Sequence, residues 1–217
     1  MAEKKDDRFR NWTFLVYPES APENWRDLID NFHVQWACSP LHDSDINPDG
    51  TLKKPHFHVL LSFEGKKSFD QVKAFSDLCS GVLPIKVESL RGLVRYFAHL
   101  DNPEKYQYNI CDIDCYGGFN VNDALKPTTS EKQVLLKEIF TFLDDFEKPL
   151  DYDQFIMYCI KYDKDDWHYL ATETSTIAIK SFISARYTRQ KHNIEKQLEE
   201  LNQLKKSLGV SDETNKN

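Results

Sequence analysis

The stretch PHFHVLLSF, residues 55–63, carries two histidines one residue apart in an otherwise apolar run. In a β-strand side chains alternate between faces, so His56, His58, Leu60 and Ser62 share one side and Phe57, Val59, Leu61 and Phe63 the other. The phenylalanine side is expected to face the core. On the remaining side, imidazoles about 7 Å apart can converge on one divalent cation through their ring nitrogens. A solvated strand face is the commoner fate of such a pair and the alternative here. LHDSD, residues 41–45, places His42, Asp43 and Asp45 at the end of the preceding run, and SDINPDGTLKKP joins the two with Asn-Pro and Asp-Gly turn signals. If the runs pair as a hairpin, His42 and Asp45 arrive beside His56 and His58. Three imidazoles and a carboxylate suit Mn²⁺, Co²⁺, Ni²⁺ or Zn²⁺ and leave coordination positions for a substrate oxygen. Asp43 is the alternative carboxylate, or else a cap on the turn.

A third feature is ESLRGLVRYFAHLDNPEKYQY, residues 88–108. At helical spacing Leu90, Leu93, Val94 and Phe97 form one apolar stripe, which Pro103 ends. Tyr96 lies at the border of that stripe, with His99 about 60° further round the helix. Tyr96 is either a border residue of the core or, beside a metal that polarises a phosphate, a nucleophile.

Elements must hold these residues in place. NWTFLVYPE (11–19) and VQWACSPLHD (34–43) are rich in aromatic and β-branched residues and predict strands. APENWRDLIDNF between them spaces Trp25, Leu28, Ile29 and Phe32 as a helix. SFDQVKAFSDLCSG predicts another, with Ser68 as N-cap and Gly81 just past its end. The mixture from Phe9 to about Asn122 predicts a single α+β domain. At ALKPTTSEKQ the character changes: Thr128 with Glu131, or Ser130 with Gln133, fits a capping box. VLLKEIFTFLDDF, YDQFIMYCIKY and TSTIAIKSFISARYTRQ then predict an all-helical third, so two units meet near residue 127. From Ile194 the series Ile194, Leu198, Leu201, Lys205, Leu208 spans about two heptads of a coiled-coil seam, the alternative being a frayed amphipathic tail. SDETNKN at the end is expected to be disordered.

With 217 residues, 40% of them hydrophobic, the chain has room for one larger or two small cores. The N-terminus MAEKKDDRFRNW lacks an apolar signal region, and no segment approaches the roughly 18 apolar residues of a membrane span. A soluble, cytoplasmic protein with no membrane partner is expected. Five cysteines without a CxxC pair predict reduced thiols. Cys111 and Cys115 have the look of half a zinc site, but no second pair stands at structural-zinc spacing. A net charge of −7 argues by itself against a nucleic-acid partner. The charge is uneven, however: residues 131–173 hold 5 basic and 11 acidic residues, residues 180–206 hold 7 basic and 3 acidic. The distribution therefore decides more than the sum. No GxxxxGK[ST] occurs, which leaves the chain without a P-loop motor.

In order and spacing, LHDSD, PHFHVLL and RYFAHLDNPEKYQY resemble the three motifs of the HUH endonucleases, most closely the replication initiator (Rep) proteins of rolling-circle plasmids from Gram-positive bacteria. NWTFLVYPESAPENW resembles the start of that group. The resemblance covers residues 9–125 well and the helical remainder loosely; each motif is weak alone and the three together are specific.

It implies an α+β fold in which an antiparallel five-stranded sheet, with the HUH strand central, is flanked by helices. Residues 1–126 would be the nicking and origin-binding domain and 127–193 a helical domain building a ring-shaped homo-oligomer, with 194–217 an amphipathic or disordered tail. It also implies that His42, Asp45, His56 and His58 bind a divalent metal ion, Mn²⁺ or Mg²⁺, and that Tyr96 is the catalytic tyrosine, with His99 orienting it or relaying a proton. The activity implied is nicking of plasmid origin DNA, bound double-stranded but single-stranded at the nick, through a 5′-phosphotyrosyl intermediate. The freed 3′-hydroxyl would prime a host DNA polymerase, and a host helicase or supercoiling would unwind the duplex.

Around such a site Lys53, Lys54, Lys66, Lys67, Arg91 and Arg95 are candidate phosphate contacts. Arg186, Arg189 and Lys191 are either a further DNA contact or the favourable positive end of a helix. A conjugative relaxase shares the chemistry, but relaxases place the tyrosine near the N-terminus, ahead of the histidines. A noncatalytic DNA-binding regulator on the same fold and an oligomeric scaffold with a structural metal are the other readings.

Overall fold

The structure is a computed structural model and describes residues 7–146 and 148–208. The tail residues 211–217, expected to be disordered, lie outside the described residues. The chain divides into two compact units between Lys126 and Pro127.

The first unit is built on strands β1 (Phe9–Val16), β2 (Gln35–Cys38), β3 (Phe57–Lys67), β4 (Ile85–Lys86) and β5 (Asp114–Tyr116). They form one sheet in the order β4-β1-β3-β2-β5, with every pairing antiparallel. The histidine-bearing strand is therefore central, as expected for the α+β fold. Trp12, Phe14 and Val16 of β1, Trp36 and Cys38 of β2, and Val59, Leu61 and Phe63 of β3 are buried on one face. Helices α1 (Trp25–Asp30) and α2 (Phe69–Leu78) cover them with Trp25, Ile29 and Val72.

The opposite face is covered as well. Helices α3 (Leu90–Phe97) and α4 (Val121–Leu125) bring Val94 and Phe97 against Leu60 and Ala37, and Ile113 and Phe119 complete this second core. The phenylalanine side of β3 meets a core as expected, and the histidine side meets a second one. Leu60 is fully buried on the histidine side, and the imidazoles occupy the end of a packed face.

Helix ends follow local chemistry. Ser68 and Gln71 form the reciprocal capping box of α2, satisfying two amide groups that the helix leaves unpaired. After α2 the left-handed residue is Ser80, at φ 53°, rather than Gly81. Gly81 answers a different need: a Cβ there would meet the Phe14 ring at 2.9 Å and the Leu15 carbonyl oxygen at 3.0 Å. Arg91 donates Nε–H to the Leu125 carbonyl at 2.7 Å, tying α3 to the end of α4.

The second unit comprises α5 (Thr129–Asp145), α6 (Tyr152–Lys161), α7 (Asp165–Tyr169), a π-helical turn (Leu170–Thr174) and α8 (Thr176–Ser207). Of the two expected capping boxes for α5, Thr128 with Glu131 forms. Asp151 with Gln154 repeats the device at α6. Ile139, Leu143, Phe155, Cys159, Leu170, Ile179 and Ile183 make its core. Helix α8 runs unbroken through residues 193 and 194, and every residue from Lys191 to Leu208 is exposed. No helix among the described residues is long and apolar enough to cross a membrane.

Candidate active site

The site begins with a one-residue irregularity between β2 and β3. Cys38 pairs with Val59, and His42 forms an isolated bridge with His56, so three residues (39–41) face two (57–58). In a regular ladder His42, two steps of two beyond Cys38, would share the face of Cys38 and Val59. The extra residue turns it to the other face, beside His56 and His58. Pro40 has no amide to give the ladder, and Ser39 fills the gap: its amide donates to the His58 carbonyl at 2.9 Å while its hydroxyl accepts the His58 amide at 2.9 Å. Beyond His42 the connection folds back through an Ile46–Leu52 bridge and Gly50 at φ 84°, a conformation glycine adopts without strain.

The rings then gather. His42 lies 4.8 Å from His58 and 5.4 Å from His56 between centroids, and His56 and His58 are 5.1 Å apart. Nitrogen positions are set by backbone carbonyls, which only accept. His42 donates Nε2–H to the Phe97 carbonyl at 2.8 Å, and His56 donates Nδ1–H to the Lys54 carbonyl at 2.9 Å. His42 therefore keeps its lone pair on Nδ1 and His56 on Nε2. Fixing the tautomer of an imidazole through its outer nitrogen is the usual support for a metal ligand.

Burial lowers the pKa of His42 to about 4, against opposing pulls from the Phe97 carbonyl and Asp45. Burial first, then the neighbouring imidazoles, lowers that of His58 to about 2. Both rings are neutral at physiological pH, the form that ligates metal.

Asp45 is buried and Asp43 exposed, its carboxylate taking the Ser44 hydroxyl at 3.0 Å. Asp45 thus belongs to the site and Asp43 to the turn. The four expected ligands do not form one compact set, however. Ligand atoms of His42, His56 and His58 lie within 4.8 Å of one another, and so do those of His42, Asp45 and His99. His42 is shared by two triads, and Asp45 stands nearer His99 than the earlier ligand set implies.

His99 is also not on the helix. Helix α3 ends at Phe97, short of Pro103, because His99 turns to φ 57°. The amides of His99 and Leu100 return to the Tyr96 and Arg95 carbonyls at 3.1 and 3.0 Å, the double closure of a Schellman motif with histidine at its left-handed position. Its Nδ1–H donates to the Tyr106 carbonyl at 2.8 Å, which aims Nε2 inward.

Buried Nδ1 of His42, Oδ2 of Asp45, Nε2 of His58 and Nε2 of His99 have no hydrogen-bond partner in the protein. Buried polar atoms are ordinarily satisfied, and orphans set in two triads that share His42 fit a bound cation. Neutral imidazoles with a carboxylate are a donor set for Mn²⁺ or another transition ion more than for Mg²⁺.

Tyr96 closes the site from the last turn of α3. Its ring stands edge-on to His58 at 5.3 Å and to His99 at 5.1 Å. Two neighbours escaped the reading of the sequence. Tyr108 stacks on His42 at 4.2 Å with planes 1° apart, accepts the Ser44 amide at 3.1 Å and donates to Asp45 at 3.4 Å. Lys105 donates to the Tyr96 hydroxyl at 3.2 Å. Both lie in NPEKYQY, a stretch without helical or strand period, so only its nearness to Tyr96 in sequence could have flagged them.

The candidate phosphate contacts are distributed otherwise than expected. Lys53 lies 3.8 Å from Asp45, Lys54 is paired with Glu19, and Arg95 grips Asp101 through two nitrogens at 2.6 to 3.0 Å. Lys66 and Lys67 stand at the far end of β3, about 20 Å from His58 as measured along the six residues of β1 that face the same span. In the second unit Arg186 donates to the Asp144 and Phe146 carbonyls, closing the C-terminus of α5, and Arg189 pairs with Asp144 at 3.6 Å.

A sheet whose central strand carries paired imidazoles, with a tyrosine on the helix covering the same face, is the arrangement expected of a replication initiator's origin-binding domain. Residues 4–122 match the family described as plasmid replication protein, origin-binding domain, and the chain belongs to that family. It is 39% identical over 185 residues to a replication protein of Staphylococcus aureus, covering 85% of this chain and 92% of that one. It is 40% identical over 186 residues to replication protein RepB of Lactiplantibacillus plantarum, covering 85% and 84%. RepB of Streptococcus agalactiae is more distant, at 26% over 147 residues, covering 63% of this chain and 70% of that protein.

Proposed function

We propose that this plasmid replication protein initiates rolling-circle replication by nicking one strand of its origin, with Tyr96 as the nucleophile. One observation carries the reading: four buried ligand atoms without a hydrogen-bond partner lie in two triads beside a tyrosine whose ring packs edge-on against two of the same histidines. A core needs no such cluster, and each orphan there costs stability.

His42, Asp45, His56 and His58 would hold the divalent ion, with His99 within reach as an alternative partner for Asp45. When bound, the ion supplies positive charge that polarises a phosphodiester and offsets charge building on its oxygens. The protein does the rest through position. The Phe97 and Lys54 carbonyls hold two imidazoles in their ligating tautomers, and Tyr108 braces Asp45. Helix α3 presents Tyr96 so that its oxygen can attack phosphorus in line. The Tyr–O–P bond forms as the P–O3′ bond breaks. The phenol proton leaves to solvent and the departing 3′-oxygen gains one, so the charge balances. The phosphodiester energy is kept in the 5′-phosphotyrosyl link, which lets the strand be rejoined.

The DNA must be unstacked at the nick for Tyr96 to reach phosphorus, so a host helicase or supercoiling supplies unwinding and a host polymerase extends the 3′-hydroxyl. The helical second unit is the part of the chain available for homo-oligomer assembly.

The test is to incubate the protein with a labelled single-stranded oligonucleotide bearing a candidate nick site, with Mn²⁺ or with EDTA. A slower-migrating covalent adduct that requires metal and vanishes in Tyr96→Phe is the expected result. An adduct that persists in Tyr96→Phe overturns the nucleophile assignment. DNA binding without any adduct favours a noncatalytic regulator whose metal only stabilises the fold.

A further inference from the structure

Lys105 stands apart from the other cations near the site. Lys53, Lys54 and Arg95 are each held by a carboxylate, whereas Lys105 has no ion pair among the described residues. Its ammonium group lies against Tyr96, 3.2 Å from the hydroxyl oxygen and 4.5 Å from the ring centroid.

The segment that presents it is braced at every step. The Asn102 amide donates to the His99 carbonyl at 2.9 Å and the Lys105 amide to Asn102 at 3.0 Å. The Gln107 side chain donates to the carbonyls of Asn102 at 2.9 Å and Lys105 at 3.0 Å. His99 fastens the far side through the Tyr106 carbonyl. Glu104, the adjacent carboxylate, accepts from the Asn102 side chain at 3.1 Å and feels the charge of Lys105 without an ion pair to it. A surface lysine has several rotatable bonds to lose, and a loop built to hold one against a single phenol oxygen implies that the contact matters.

We propose that Lys105 is a catalytic residue of the nicking step, holding the Tyr96 oxygen in its attacking position and keeping a positive charge beside it while the Tyr–O–P bond forms. The inference rests on the reading of Tyr96 as nucleophile. Lys105 neither gains nor loses a proton; its part is orientation and a fixed charge, which is worth most where it is already in place before reaction. On rejoining, the same tyrosine oxygen departs from phosphorus with Lys105 beside it. The charge therefore acts equally in both directions.

The test compares wild type, Lys105→Met and Lys105→Arg in single-turnover adduct formation with Mn²⁺ at saturating oligonucleotide. In parallel, the NMR resonance of tyrosine labelled with carbon-13 at Cζ is followed, with Tyr96 assigned by its loss in Tyr96→Phe. Lys105→Met is expected to slow adduct formation about 100-fold at unchanged DNA affinity. It should slow rejoining of the isolated adduct by the same factor and move the Tyr96 resonance, while Lys105→Arg recovers most of the rate. Weaker DNA binding with an unchanged saturated rate makes Lys105 a backbone contact and overturns the proposal, as does an unmoved resonance. Should wild type itself form no adduct, the nucleophile reading falls and this role with it. A wild-type adduct that Lys105→Met matches in rate removes Lys105 alone.

Discussion

The two faces of β3 are built from the same alternation and put to opposite uses. On one, Val59, Leu61 and Phe63 pack beneath α1 and α2 with no polar atom left over from the strand. On the other, Leu60 is equally buried, yet the neighbouring positions carry His58 and His56, and the ring nitrogen of His58 stays without a protein partner. The first face spends its burial on stability. The second accepts unsatisfied polar atoms, which a fold tolerates only where something else will satisfy them. Fold and site therefore share one strand, and damage to each face should be separable.

The largest effect is expected from the apolar face. Leu61→Ala should cost about 2–5 kcal/mol of stability, since a fully buried leucine leaves a cavity its neighbours fill only partly. Urea unfolding checks this. The folded fraction should keep its Mn²⁺ affinity, and a lost affinity would show that the faces are not independent. The reciprocal change is His58→Ala. For wild type, Mn²⁺ at about 100 times its dissociation constant should add about 2.7 kcal/mol, all reversed by EDTA. His58→Ala should lose that increment and at least about 100-fold of adduct formation, a loss set by the several kcal/mol a metal contributes at a phosphoryl group. In EDTA its unfolding should match wild type or improve on it, because an orphaned nitrogen has been removed. Metal-free destabilisation as large as that of Leu61→Ala would make His58 a core residue.

How much of this was legible follows the same division. Period-two alternation in PHFHVLLSF and the helical spacing of VLLKEIF are local properties, and they carried the strand and the helical second unit, whereas the strand's central place followed only from the family resemblance. The His42 cluster was found because a turn-forming segment joins it to PHFHV. Its face was not derivable, because the inserted residue among Ser39, Pro40 and Leu41 reverses the alternation. His99 was misplaced for a related reason: nothing in FAHLDNP announces that histidine will take the left-handed position usually filled by glycine. Tyr108 and Lys105 reach the site through tertiary contacts across an irregular loop, and pattern reasoning has no period to follow there.

Acid should reveal the imidazole face gradually. His42 and His58 are held neutral by burial, with folded pKa values of about 4 and about 2 against an ordinary value of 6.5. Above 6.5 both folded and unfolded chains carry neutral rings, and nothing is lost. As pH falls from 6.5 toward 4 the unfolded chain takes up protons that the folded one refuses, so stability declines across that window. Urea midpoints measured in EDTA at steps from pH 7 to 4.5 should show the decline in wild type and a shallower one in His58→Ala. Equal slopes would mean that His58 does not contribute to it.

The smallest change sharpens the comparison most, because it touches the imidazole face without removing a proposed ligand. Tyr108→Phe keeps a ring of nearly the same size stacked on His42 and deletes only the hydroxyl that joins the Ser44 amide to Asp45. The hydrogen bond to Asp45 is long, at 3.4 Å, so its loss should leave the fold nearly intact. Metal affinity should nevertheless drop about 10-fold, at the lower end of what outer partners of metal ligands contribute. Calorimetric Mn²⁺ titration measures this directly. If affinity holds while unfolding shifts, Tyr108 is packing against His42 and Asp45 finds its position without help. If affinity falls at constant stability, the orphaned atoms of this face are held in place for a cation by residues that never touch it, a demand the apolar face of β3 does not make.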